Sequence, residues 1–137
     1  MSTSLGFEAR IRAPFEEAVE RVTDALREQG FGILTRIDVR KTLKEKLGED
    51  FRDYVILGAC NPHLAHRALS AQPEVGLMLP CNVTVEQEPD GSARVRIADP
   101  EIMLTAGGFE TDPDITSVAK EAHELLGLAA ESLAEAE

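Results

Sequence analysis

The chain has no tryptophan, one tyrosine and two cysteines in 137 residues. So little aromatic surface leaves no stacking platform for bases. Two thiols cannot build the disulfide framework of a small secreted domain. Cations are short as well: 14 Lys and Arg stand against 25 Asp and Glu, for a net charge of -11. Phosphate affinity needs clustered basic residues, so no nucleic-acid partner is expected. No apolar run reaches the roughly 18 residues of a membrane span, and no basic-then-apolar leader opens the sequence. The expectation is a cytoplasmic chain with no membrane attachment, its thiols kept reduced. Also absent are GxGxxG, the P-loop, HExxH and any Ser-His-Asp set.

What is present suits a globular fold. Hydrophobic residues make up 43% and charged residues 28%, and the length accommodates one domain over 1–137. Phe7, Ala9 and Ile11 alternate with charges, which predicts a half-buried strand over 5–12. Pro14 opens a helix whose apolar stripe runs from Phe15 to Leu26, ended by Gly30. A strand follows over 32–38, then a short helix marked by Val39, Leu43 and Leu47 between an Asp38 cap and Gly48. Tyr54 to Ala59 is apolar on both faces and reads as a covered strand. Asn61 caps a helix with Pro62 first, buried through Leu64, Ala65, Ala68 and Leu69. Residues 75–88 read as a strand interrupted at Pro80, and Ala93, Val95 and Ile97 alternate in the returning strand after a Pro89-Asp90-Gly91 turn. Asp112 and Pro113 open the last helix, with Gly107-Gly108 as the connection before it. The order β-α-β-(α)-β-α-β-β-α predicts a two-layer α+β fold, a mostly antiparallel sheet with helices on one face.

The two cysteines occur in matching contexts, Gly58-Ala59-Cys60-Asn61-Pro62 and Leu79-Pro80-Cys81-Asn82-Val83. These stretches, with Ile37-Asp38-Val39, Thr42 to Gly48 and Asp99-Pro100, resemble the domain of unknown function 302 family. The resemblance covers most of the chain and is densest over 37–100. It implies a TBP-like fold with a β-α-β(4)-α core, and no established activity. His63 and His66 are not part of that pattern.

Cys60 precedes a helix N-terminus, a setting that favours thiolate and predicts a lowered pKa. Cys81 shares strand parity with Leu77, Leu79, Val83 and Val85, so its thiol is expected to face the helix layer. The leading reading is a ligand-handling, soft-metal or thiol-redox domain. Cys60 and Cys81 would form its pair, Asn61 and Asn82 would shape its pocket, and Zn or Cu would be the possible ion. Cys60 is also the candidate nucleophile, although no base is identifiable beside it. The alternative is a non-catalytic, homodimeric interaction module in which both cysteines simply pack. Asn61 is expected as a cap; Asn82 serves either strand backbone or a bound group. His63 and His66 would complete a four-ligand Zn set, but the helical pattern turns them to solvent. Arg10, Arg12, Arg94 and Arg96 share the open sheet face, where pairing with Glu8, Glu86 or Glu88 is expected.

Overall fold

A computed structural model describes residues 4–135 of the chain. Five strands form one antiparallel sheet: β1 (Gly6–Ile11), β2 (Gly32–Asp38), β3 (Tyr54–Cys60), β4 (Cys81–Gln87) and β5 (Ala93–Ala98). They lie in the order β1-β5-β4-β3-β2. Helices α1 (Phe15–Glu28), α2 (Val39–Leu47), α3 (Pro62–Ala71), α4 (Pro100–Ala106) and α5 (Pro113–Glu135) connect and cover it. Without α2, α3 and α4 the order is β-α-β(4)-α, the core that the family resemblance implies.

Alternation decides which side of the sheet is covered. Ala9, Val95, Val85 and Val55 stand in one row across β1, β5, β4 and β3, with Ile97, Val83 and Leu57 in a neighbouring row, and all are buried. Against them lie Val19, Val22 and Leu26 of α1 and Ile115, Ala122, Leu126 and Ala129 of α5. The opposite face carries charge. There Arg94 bonds Glu8 and Glu88, and Arg96 bonds Glu86. The expected cross-strand neutralisation therefore holds for these two arginines; Arg10 instead approaches Asp90 at 3.9 Å.

Two stretches depart from the sequence reading. Residues 75–79 do not extend the strand: Pro73–Met78 is a 3-10 helix and β4 begins only at Cys81. Pro73 opens this 3-10 turn at its first position, Pro80 stands just before β4, and Leu77 is 85% exposed. The second departure is α4, which occupies what reads as a connection. Asp99 accepts the N–H of Glu101 at 2.9 Å and Pro100 takes the first helical position. That is the same Asx-Pro opening as Asn61-Pro62 and Asp112-Pro113. Smaller shifts are local: Pro14 is the cap of α1 rather than its first residue, and Leu69 is 40% exposed rather than buried.

The arm formed by β2 and α2 buries little. No residue of α2 is buried, and Leu34 (66%), Ile37 (49%) and Leu47 (68%) are open. The helix is held by its ends instead: Asp38 accepts the N–H of Lys41 at 3.0 Å, and Gly48 stops it at φ 69°. Such a left-handed stop suits glycine.

Gly58 marks a tight approach beside the start of β4. A Cβ there would lie 2.7 Å from Cγ of Pro80 and closer still to Oγ1 of Thr35. The proline ring cannot rotate aside as a long side chain would. Gly58→Ala is therefore expected to lower the unfolding free energy by about 2 kcal/mol, as overpacking does, measured by urea denaturation. An unchanged midpoint would refute this contact.

Candidate functional site

The end of β3 and the start of β4 place both cysteines at one edge of the covered layer. Cys81 stands opposite Ala59 on the rung between β3 and β4, and Cys60 follows Ala59. Because side chains alternate, Cys81 takes the inward parity of Val83 and Val85, as expected. Cys60 takes that of Ile56 and Gly58. The two side chains thus leave the sheet with opposite parity at the strand ends rather than as rung partners, and both cysteines are free.

Asn61 behaves as expected of a cap: its Oδ1 accepts the N–H of Leu64 at 3.2 Å. The helix N-terminus is thereby engaged by Asn61 rather than left to Cys60. His63 and His66 are exposed on α3, so the four-ligand set with the cysteines is not assembled. Asn82 is exposed and pairs in register with Gly58.

Two clefts meet at Cys81. One, lined by Phe31, Cys60, Asn61, Leu64, Leu79 and Cys81 with residues of α5, has about 40 Å³ of free space. The other has about 60 Å³ and is bounded by Met78, Pro80, Cys81, Asn82 and Met103. Pro100 and Leu104 of α4 wall both. Sequence reasoning missed α4 and so missed these walls, although Asp99-Pro100-Glu101 carries the same opening that located the other two helices. Asn82 and Asn61 thus reach different clefts, joined through Cys81. Neither has the roughly 300–1,000 Å³ of a drug-sized pocket. What they admit is an ion or a very small molecule.

The family model for the domain of unknown function DUF302 matches residues 7–133. The chain belongs to the DUF302 family. A crystal structure of an uncharacterised conserved DUF302 protein from Bacillus stearothermophilus is similar, with a TM-score of 0.81 and 30% sequence identity over 94% of this chain and 98% of that one. No curated protein matches the chain. Within the DUF302 fold seen here, the stretches that carry the resemblance fall into two places. Gly58–Pro62, Leu79–Val83 and Asp99-Pro100 gather around the clefts, while residues 37–48 form the exposed arm.

Electrostatics correct one expectation. Burial pushes the Cys60 thiol up, not down, because an apolar surround disfavours the thiolate. Cys81 is pushed up to about 11, by burial first and then by the charge of Cys60. Both thiols are therefore protonated at neutral pH, and Cys60, the less enclosed, is the more accessible of the two. The sign for stability follows. Below the ordinary value of 9.0, Cys81 is neutral in both folded and unfolded chains. As pH rises from there towards 11, the unfolded chain gives up its proton first and stability falls. The loss should approach roughly 3 kcal/mol at the top of that window. Comparing urea unfolding at about pH 8 and pH 10.5 should show about 2 kcal/mol of this loss in the native chain and a smaller one in Cys81→Ala. Equal slopes would contradict the assignment.

Proposed function

We propose that this DUF302 chain is a thiol domain that takes up a soft metal ion at Cys60 and Cys81. The observation that carries the reading is that both cysteines, free and uncharged, wall one small apolar cleft. Free space of about 40 Å³ favours an ion over an organic ligand. Raised thiol pKa values weigh against a nucleophilic or rapidly exchanging cysteine, since the thiolate is the reactive form. A Cu(I) ion that displaces both thiol protons leaves a bis-thiolate complex with one net negative charge, half that of two bare thiolates. No imidazole or carboxylate lines either cleft, whereas sulfur does. That donor set selects Cu(I) over Zn(II), which favours added nitrogen or oxygen ligands. Asn61 and Asn82 would border the ion without ligating it. Reduced thiols fit a cytoplasmic setting.

Titration of the reduced chain with Cu(I) against a chromophoric chelator tests this. The expected result is saturable uptake of one ion per chain, weakened at least about tenfold in both Cys60→Ser and Cys81→Ser. Uptake that neither substitution changes, or none at all, would overturn the reading.

A second feature favours the homodimer. Strand β2 is a sheet edge, and Leu34 and Ile37 on it and Leu47 on α2 are open apolar groups. Bare edges invite strand pairing, and a second copy could extend the sheet antiparallel across a two-fold axis. Light scattering coupled to size exclusion should give twice the chain mass of 14.9 kDa, and Ile37→Glu should return it to that of one chain. A native chain that elutes as a monomer at tens of micromolar would exclude this pairing.

A further inference from the structure

The turn after β5 sends alternate residues to two different places. Ala98 and Pro100 line the clefts around Cys81. Asp99 and Glu101 meet His123 of α5. Nδ1 of His123 lies 2.8 Å from Oδ2 of Asp99 and 3.4 Å from Oε1 of Glu101. All three donor atoms lie within 4.8 Å of one another.

Two of the three donors are held from behind, while Glu101 is half-exposed. Asp99 is 5% exposed, and its other oxygen accepts the N–H of Glu101. The imidazole ring leans on Phe7, with centroids 5.3 Å apart. Such supporting contacts orient ligands before an ion arrives. The spacing is close to what an ion needs. An ion about 2.1 Å from nitrogen and oxygen donors sets adjacent donors roughly 3.0–3.4 Å apart; the 3.4 Å separation to Glu101 falls in this range, and the 2.8 Å separation to Asp99 is slightly short of it, so the ring would shift outward as the ion replaces the proton.

Charge points the same way. One imidazole nitrogen carries at most one hydrogen, yet two carboxylates converge on it. A proton on Nδ1 directed at Asp99 leaves Glu101 with a longer and weaker contact. A divalent cation satisfies all three donors at once and replaces that proton.

We propose that Asp99, Glu101 and His123 form a divalent-cation site, with one imidazole and two carboxylates on one side of the ion. The other coordination positions are left to water or to a small oxygen-donor ligand. Nitrogen and carboxylate donors suit Mn(II), Fe(II), Co(II) or Zn(II) and not Cu(I), so this site is chemically distinct from the thiol cleft. Nothing in it depends on the cysteines.

The test uses the full chain, stripped of metal with a chelator and titrated with Mn(II), free ion being read by electron paramagnetic resonance. One saturable site is expected. Glu101→Gln and His123→Gln should each weaken it by about tenfold or more. Glu124→Gln, at an exposed acid one residue beyond His123, should leave it unchanged. The double variant Cys60→Ser, Cys81→Ser should also retain it, which separates this site from the thiol reading. Co(II) should give visible bands without the intense near-ultraviolet absorption of sulfur ligation. In the unmodified chain Mn(II) should raise the thermal midpoint, a readout that needs no variant to fold. Affinity untouched by either Glu101→Gln or His123→Gln would overturn the proposal. So would sulfur absorption that vanishes with the cysteines, or a native chain showing neither saturable uptake nor a thermal shift.

Discussion

The rung that joins Ala59 to Cys81 sets the position of everything around the clefts. It fixes the register of β3 against β4. That register puts Gly58 under Pro80, Cys81 on the covered face and Cys60 at the sheet's end. A slip of one residue would turn Cys81 outward and carry Val83 and Val85 into water. The slip is resisted by the rows of buried side chains running from β1 to β3, each of which would lose its partner. The clefts are therefore a by-product of core packing: they lie where the sheet runs out and α3, α4 and α5 converge to cover its end.

Much of the fold was legible because its local and long-range demands agree. Period-two alternation in Phe7 to Ile11 and Ala93 to Ile97, and the apolar stripes of α1 and α5, bury most of the residues that the pattern nominates, with Phe7, Phe15 and Leu125 partly buried at the margins. Capping was equally readable: Asp38, Asn61 and Asp112 all accept N–H groups from the turns they open. The third Asx-Pro opening, at Asp99, was passed over because the seven-residue helix it starts ends in Gly107-Gly108, which dominates the reading of that stretch as a loop. The error over 75–79 has another origin. Val75, Leu77 and Leu79 alternate as a strand would, but tertiary context turns the chain between two prolines and leaves Leu77 in solvent.

The site was less legible than the fold, and the reason is burial. Sequence places Cys60 before a helix and invokes the positive end of its dipole. It cannot weigh that against the cost of removing a charge from water, and in the folded chain burial prevails. The contribution of α4 was likewise hidden, since Pro100, Met103 and Leu104 matter only through where the turn after β5 delivers them. His123 on α5 meets carboxylate partners that lie more than twenty positions earlier, at 99 and 101, a distance along the chain that no local pattern spans.

The exposed arm has a consequence for how this protein moves. Segments that bury few apolar groups open with less free energy than the whole molecule. Helix α2 and the outer edge of β2 contribute little to the shared core, so they can separate from the sheet while β1, β3, β4 and β5 stay paired. The arm is thus expected to be the weaker of two parts of the fold. The weaker one is held by the β2–β3 ladder and, outside it, by surface ion pairs such as Arg36–Glu16 and Arg40–Asp53. Added salt screens such pairs far more than it weakens the core, so ionic strength acts chiefly on the arm.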